Sequence, residues 1–173
     1  MADNIFESAL QKYKHIVKFT KGSILEIGCG IGLLASCVGD REYTGIDSAQ
    51  LAVQFASKKY TQDNISFICT DIDSWDTYDW FSRNRQYDTV VFTDVLENAN
   101  TPEKLLKRFA KLANKQAVIV LPYNHGRKWN GKSVRKLVTQ AGRIIKLSRF
   151  NDEEESWWLI IIEPWRVVND KKK

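Results

Sequence analysis

Short apolar runs alternate with stretches in which apolar residues recur every three or four positions along this 173-residue chain. The runs predict five strands, at residues 23–27, 42–46, 65–69, 87–92 and 116–121. The spaced stretches predict helices, at residues 31–38, 49–60 and 133–140, with another that begins at Thr101-Pro102. Residues 73–86 predict a short helix or an ordered loop. Strands and helices in alternation indicate an α/β fold with a parallel sheet.

The two ends of the chain carry different patterns. Residues 3–19 predict an N-terminal amphipathic helix that packs on the sheet. Residues 143–150 alternate, with Ile145 and Leu147 on one face, as an edge strand does, whereas residues 157–162 are apolar on both faces, as in an interior strand. The polar link between them suits an antiparallel hairpin, so the last strand is predicted between strand five and the edge strand. Residues 170–173 are predicted to be a frayed tail.

Length and composition indicate one domain, residues 1–173, with an ordinary soluble make-up of 43% hydrophobic and 27% charged residues. No apolar run approaches the ~20 residues of a membrane span. The N-terminus shows no basic leader and no apolar signal region. The three cysteines form no C-x-x-C pair, which favours reduced thiols. These features predict a cytoplasmic protein.

The net charge of +5 is unevenly distributed. Residues 102–149 hold 13 Lys or Arg and a single acid, Glu103, whereas residues 1–101 are acidic on balance. The basic side chains of the helix after Thr101 are interpreted as a solvated face. A second basic group lies past the fifth strand: Arg127, Lys128, Lys132, Arg135 and Lys136. It is either solvated charge or a site for a phosphorylated or carboxylated molecule or a nucleic-acid backbone.

The first predicted strand runs into a glycine-rich turn, since residues 25–32 read LEIGCGIG. Gly28 and Gly30 can take backbone angles closed to other residues and let a ligand approach the main chain. Gly32 allows close packing of the next segment on the strand, and a helix start there would offer free N–H groups. Asp47 closes the second apolar run, where a carboxylate can accept both hydroxyls of a ribose.

Two further acids follow predicted strands. Asp71 comes after strand three, beside Ile72, and Asp94 comes after strand four, beside Thr93. Ligands of open α/β sheets bind outside the carboxyl ends of the strands, so these acids and Asp47 are predicted along one edge. Asp71 can equally be a turn cap.

An acid followed by G-x-G-x-G, together with these segments, resembles the class I S-adenosylmethionine (SAM) dependent methyltransferases over about residues 20–165. The resemblance implies a three-layer αβα sandwich with a Rossmann-like seven-stranded sheet of order 3-2-1-4-5-7-6 and an antiparallel last strand. It implies an enzyme with SAM as cofactor and no metal. Where the family continues from strand four into Leu-Glu-His, this chain has Leu96-Glu97-Asn98, which puts any role for an imidazole there in doubt.

The resemblance also implies a cofactor site. Asp47 would take the ribose hydroxyls, Asp71 the adenine amino group, and Asp94 a place beneath the sulfonium. Glu26 would steady the glycine loop or the methionine amino group. The full set is Glu26, Gly28, Cys29, Gly30, Gly32, Asp47, Ser48, Asp71, Ile72, Phe92, Thr93 and Asp94. The aromatics of residues 73–86, namely Trp75, Tyr78 and Phe81, are interpreted as core residues, with a wall against the adenine as the alternative.

The acceptor is left open by the sequence. His125, in the loop after strand five, is the candidate general base. The DNA-amino motif Asn/Asp-Pro-Pro-aromatic and the cytosine-C5 motif Pro-Cys are absent after strand four. The predicted function is methyl transfer to oxygen or nitrogen of a small or acidic acceptor. The alternatives are a SAM-binding subunit or pseudoenzyme without turnover, and a nucleic-acid-associated methyltransferase that uses the basic rim. A nucleotide-binding oxidoreductase is disfavoured by the glycine spacing.

Overall fold

The computed structural model describes residues 2–123, 129–151 and 156–165, and side chains from residue 9 onward. These ranges contain the strands β1 Ile24–Ile27, β2 Tyr43–Asp47, β3 Ile65–Cys69, β4 Tyr87–Thr93, β5 Ala113–Pro122, β6 Gly142–Asn151 and β7 Ser156–Pro164. They form one sheet of order β3-β2-β1-β4-β5-β7-β6. Strands β1 to β5 pair in parallel, and β7 pairs antiparallel with β5 and β6. The predicted sheet order is confirmed.

Five α-helices flank the sheet within the described ranges: α1 Ala2–Ile16, α2 Gln50–Lys59, α3 Trp75–Asn84, α4 Pro102–Phe109 and α5 Gly131–Val138. One buried cluster joins α3, α4 and α5 to one face of the sheet. A second joins α1 and α2 to the other face. The three-layer arrangement is therefore confirmed. No helix among the described residues is long and apolar enough to cross a membrane.

The central strands are buried on both faces, which explains their continuous apolar runs. Along β1, Ile24 packs in the cluster on the α1 side, while Leu25 and Ile27 pack in the cluster on the α4 side. All three side chains are fully buried. Burial of each such side chain contributes about 1.5–3 kcal/mol to stability. The sheet is therefore a rigid base for the loops at its carboxyl edge.

The predicted helix at residues 31–38 was wrong. The chain there makes turns and one short 3₁₀ segment, Ala35–Cys37. Gly30 and Gly32 have φ values of +51° and +79°, so the backbone is outside the right-handed helical region until residue 33. Gly39, at φ +62°, ends the segment again. Too few residues lie between these glycines to form a stable helix.

The spacing of apolar residues in α2 predicts that Leu51, Ala52, Phe55 and Ala56 face the core, and this prediction was partly wrong. Val53 and Ala56 are buried, whereas Leu51 and Phe55 are 82% and 50% exposed. Helix α2 contacts β2 and β3, and β3 is the outermost strand of the sheet. A helix at the sheet edge covers less apolar surface than a central one, so only a narrow stripe of α2 is buried.

The alternation predicted for β6 fails at one point. Its pairing with β7 shifts register between Ile144 and Lys146, which inserts one extra residue, Ile145. Ile145 is 56% exposed, while Ile144 and Leu147 pack against the core. The predicted pairing of Ile145 with Leu147 on one face was therefore wrong.

Candidate active site

The turn after β1 is held against the end of β2. The backbone N–H groups of Gly28 and Cys29 donate to the Ile46 carbonyl, at 2.8 and 3.1 Å. Gly28 has φ +76°, and a Cβ at this position would lie 2.8 Å from Cγ2 of Val95. Both the backbone angle and the neighbouring side chain therefore require glycine here.

Asp47, at the end of β2, fixes the second half of this turn. Its Oδ2 accepts a hydrogen bond from the Gly30 N–H, and its Oδ1 accepts one from the Ala49 N–H, both at 2.8 Å. No atom lies within 4 Å of the point where a Cβ on Gly30 would sit, so the backbone there faces open space. Ser48, which precedes the predicted helix 49–60, is a plausible N-cap from the sequence, but the N-cap residue of α2 is Ala49, whose N–H donates to Asp47.

Glu26, in the middle of β1, is a buried carboxyl group with only 1% of its surface exposed. The Tyr43 hydroxyl donates to its Oε2 at 2.5 Å, while its Oε1 has no partner among the described residues. Burial raises the pKa of Glu26 to about 8, against the opposing effect of the Tyr43 hydrogen bond. An acceptor atom without a partner is thus available beneath the glycine turn.

Asp94, directly after β4, is bound by two side chains of the N-terminal helix α1. It is the one non-glycine residue of the described chain with positive φ, at +55°. The Lys12 ammonium forms an ion pair with its Oδ2, and the Tyr13 hydroxyl donates to the same oxygen at 3.4 Å. The side chain of Lys12 is 9% exposed, and its Nζ lies 5.2 Å from the ring centroid of Trp157.

Asn98 contributes to the same loop, although it replaces the family's histidine. Its side-chain amide donates to the Asp94 carbonyl at 3.1 Å. Next to it in the chain, burial raises the pKa of Glu97 to about 7. The amide of Asn98 therefore holds the strand-four loop through a neutral hydrogen bond.

The remaining predicted residues differ in position. Thr93 is buried, and its hydroxyl has no partner among the described residues, whereas Phe92 packs wholly within the core. Asp71 is exposed, and its Oδ1 accepts from the Asp73 N–H at 2.9 Å, so it makes the turn cap that the sequence allowed. Ile72 is partly buried against the core. His125 lies outside the described residues, as do Arg127 and Lys128.

Three of the predicted acids, Glu26, Asp47 and Asp94, are close enough to influence the pKa values of neighbouring groups. Two residues that the sequence did not indicate, Lys12 and Tyr13, contact Asp94. The pKa of Tyr13 is raised by burial and then by Glu26 and Asp94, and that of Cys29 by burial and then by Glu26 and Asp47. We call these residues the carboxylate cluster: Lys12, Tyr13, Glu26, Asp47 and Asp94. The sequence did not indicate Lys12, because a single lysine within an amphipathic helix is ordinary, although this one lies one turn before the buried Ile16.

A family model described as "Methyltransferase domain" matches residues 1–158. The chain belongs to this methyltransferase family. It is a class I SAM-dependent methyltransferase, and SAM is its cofactor.

Curated relatives of this methyltransferase include two malonyl-(acyl-carrier protein) O-methyltransferases. The one from Priestia megaterium is 31% identical over 93 residues, which cover 51% of this chain and 32% of the relative. The one from Acetivibrio thermocellus is 32% identical over 72 residues, which cover 39% of this chain and 23% of the relative. The matches span a third or less of these relatives' length, so their acceptor is not carried over with the family.

Solved structures show the same fold at low identity. The N-methyltransferase NodS from Bradyrhizobium japonicum has a TM-score of 0.71 and 19% identity, with 95% of this chain and 99% of that chain covered. The magnesium protoporphyrin IX methyltransferase from Synechocystis with bound SAM has a TM-score of 0.72 and 17% identity, with 90% and 80% covered.

The methyltransferase's own residues fit a cofactor that carries a sulfonium and an ammonium group. Glu26 offers a partnerless buried oxygen, Asp94 a carboxylate, and Gly30 open space beside the Asp47 carboxylate. Lys12 is a cation beside Asp94, so it opposes a sulfonium or ammonium group there and suits a carboxylate, which the methionine part of the cofactor also carries. Among the described residues, no group of three or more histidines, cysteines or acids could hold a metal ion.

Proposed function

We propose that this methyltransferase moves a methyl group to an oxygen of a small acceptor that carries a carboxylate, and that Lys12 binds this carboxylate. The observation that supports the proposal is the nearly buried Lys12 ammonium at the carboxylate cluster. A carboxylate on the acceptor would give this charge a partner, in addition to the carboxylate on the methionine part of SAM. The curated relatives are named as O-methyltransferases of malonyl-(acyl-carrier protein), which agrees with methyl transfer to oxygen.

The ion pair between Lys12 and Asp94 suits such an exchange of partners. Lys12 is nearly buried, so loss of its partner would leave a poorly solvated charge and would destabilise the protein. An arriving carboxylate can replace Asp94 as the partner of Lys12, so neither state leaves the ammonium alone. Asp94, with its side chain 40% exposed, is at the mouth of the site and can be solvated when released.

The acceptor proposed here needs no general base. A carboxylate has an unperturbed pKa of about 4 and carries its lone pairs at neutral pH. SAM, when bound, supplies a methyl group on a positively charged sulfur. Among the described residues the only histidine is His15, which stacks on Phe150 with ring centroids 4.7 Å apart, and it is not part of the carboxylate cluster. The candidate base His125 stays a prediction.

We further propose which residues hold the cofactor. Glu26 would accept from its ammonium group through Oε1, and Asp47 would accept from the ribose hydroxyls while it keeps the glycine turn closed. Asp71 and Ile72 would contact the adenine. The glycine turn with Cys29, and Ser48, Thr93 and Asp94, would line the remainder, above Phe92.

Two measurements test the proposal. Calorimetric titration with S-adenosylhomocysteine, and with NAD as control, establishes cofactor binding. Transfer of labelled methyl from SAM to a panel of mono- and dicarboxylic acids follows, with alkali-labile methyl ester as the product. Lys12→Met, which keeps length but not charge, should raise the acceptor KM about 10- to 100-fold, the worth of one charge-assisted hydrogen bond. Lys58→Met, at an exposed position of α2, is the matched control and should behave as wild type.

The outcomes separate the two parts. Cofactor binding without ester formation from any acid refutes the carboxylate acceptor and supports a binding subunit without turnover. Absence of S-adenosylhomocysteine binding contradicts the proposed cofactor residues as well. If Lys12→Met tightens cofactor binding tenfold and leaves the acceptor KM unchanged, Lys12 competes with the cofactor and does not bind the acceptor.

A further inference from the structure

A groove of about 240 Å³ lies between α3 and α4, and no residue of the carboxylate cluster lines it. Its lining consists of two aromatic and four basic residues: Trp75, Tyr78, Lys104, Lys107, Arg108 and Lys111. We call it the α3–α4 groove. Its chemistry is unlike that of the carboxylate cluster, since the lining contains no acid.

Trp75 is an exposed residue in the lining of this groove. The indole is 63% exposed, so the sequence-based interpretation of Trp75 as a core residue was wrong, whereas Phe81 on the same helix is 2% exposed and does belong to the core. The Arg108 guanidinium lies 4.9 Å from the Trp75 ring centroid. Its Nη1 donates to the carbonyls of Asp73 and Ser74, at 3.0 and 3.3 Å. The guanidinium is thereby fixed, and it supports the indole in an exposed position.

Three lysines extend the groove with positive charge: Lys104 and Lys107 on α4, and Lys111 in the 3₁₀ segment Ala110–Leu112 that follows it. All three are exposed, and none of them pairs with an acid among the described residues. Helix α5 packs beside α4 and adds three exposed basic residues, Lys132, Arg135 and Lys136. The acids of these segments are Glu103 at the start of α4, Asp73 just before α3, and Asp76 and Asp79 on α3, of which Asp79 pairs with Arg83.

We propose that the α3–α4 groove binds single-stranded nucleic acid, with a base stacked on Trp75 and phosphates against Lys104, Lys107 and Lys111. Proteins that bind single strands combine a basic groove with exposed aromatic rings on which bases stack. An acidic protein would satisfy the lysines but would leave the exposed indole and its fixed guanidinium without a role. The groove is a second site, and its existence does not depend on which acceptor is methylated.

Fluorescence anisotropy of labelled 12-nucleotide RNA and DNA single strands, at 50 and 200 mM salt without cofactor, tests this site. Trp75→Ala should weaken binding about 5- to 100-fold, the effect of losing one stacked base. Trp80→Ala is the matched control, since Trp80 is a 47% exposed tryptophan on the same helix that does not line the groove. Replacement of Lys104, Lys107 and Lys111 by glutamine should lower the slope of log affinity against log salt by about 2. Circular dichroism establishes that each variant is folded.

Each contrary result has a definite meaning. Equal losses from Trp75→Ala and Trp80→Ala overturn the stacking assignment. An unchanged salt slope in the lysine variant overturns the phosphate assignment. If poly-glutamate displaces the labelled strand as effectively as unlabelled RNA does, the groove takes acidic polymers in general, and the nucleic-acid proposal is wrong.

Discussion

Replacement of Glu26 by glutamine tests the buried carboxyl group on which the carboxylate cluster is built. Glu26 is 1% exposed, and burial raises its pKa from an ordinary 4.5 to about 8. Between these two values the native protein holds a proton that the unfolded chain has lost. The free energy of unfolding therefore falls as pH rises, by about 1.4 kcal/mol per pH unit from this residue alone. Below pH 4.5 and above pH 8 the contribution is constant.

Glutamine cannot ionise, so the variant lacks this slope. It keeps an oxygen that can accept from Tyr43, whose hydroxyl donates to Glu26 at 2.5 Å, and it places an amide where Oε1 has no partner. The pH-independent cost of that amide, about 1–3 kcal/mol, cancels when the two proteins are compared across pH. The stability of Glu26→Gln relative to wild type should rise by about 4 kcal/mol between pH 5 and pH 8.

Urea denaturation, followed by tryptophan fluorescence at pH 5, 6, 7 and 8, measures the difference. Glu97, whose pKa burial raises to about 7, contributes its own slope equally to both proteins. Glu103→Gln, at an exposed position of α4, is the matched control and should track wild type at every pH. A difference between Glu26→Gln and wild type that stays within about 1 kcal/mol over this range would refute the assignment of Glu26 as a buried, protonated acid.

Three further predictions concern the same region. Asp47→Asn should weaken S-adenosylhomocysteine binding tenfold or more by calorimetry, because it removes the charge from both 2.8 Å hydrogen bonds of the turn; unchanged affinity contradicts this. Gly28→Ala and Gly30→Ala should each lower the free energy of unfolding by about 1–2 kcal/mol, because alanine is strained in the left-handed region. The loss should be larger at Gly28, where the Val95 side chain blocks the new Cβ; equal losses in urea titrations would contradict this contact. With Ellman's reagent, exposed Cys69 should react in the native protein while Cys29, whose pKa is raised by burial, reacts only on unfolding; rapid labelling of Cys29 is the opposing result.

The sheet order could be predicted because burial leaves a direct trace in the sequence. The final strand, β7, is apolar on both faces because it lies inside the sheet between β5 and β6, whereas β6, at the edge of the sheet, is more exposed and carries more polar residues. The positions of Glu26, Asp47 and Asp94 follow from the same order, since β1, β2 and β4 are neighbours and end at one edge. Local apolar periodicity and parallel topology were enough for these features.

The sequence does not show in the same way which face of a helix is buried, or what a single side chain contacts. Leu51 and Phe55 have helical spacing, but the number of residues that α2 buries is set by its position over the outermost strand. Trp75 and Phe81 are both aromatic residues of α3, and only the position of Arg108 on α4 shows that the first is held at the surface. In both cases a neighbour distant in sequence decides the outcome.

Lys12 is the most informative of these cases, because its charge changes the chemistry expected of the site. Asp47 and Asp94 without Lys12 would make the site anionic and suited to a cationic ligand, since Glu26 is protonated at neutral pH. Lys12 lies 82 positions before Asp94 in the chain and neutralises the Asp94 carboxylate. Under the proposed function, two groups of opposite charge are then compatible with one site: the ammonium group of the cofactor against Glu26, and the carboxylate of the acceptor against Lys12. Attraction between the cofactor and the acceptor would bring an acceptor oxygen toward the methyl-bearing sulfur, so the position of one lysine links the choice of acceptor to the binding of the cofactor.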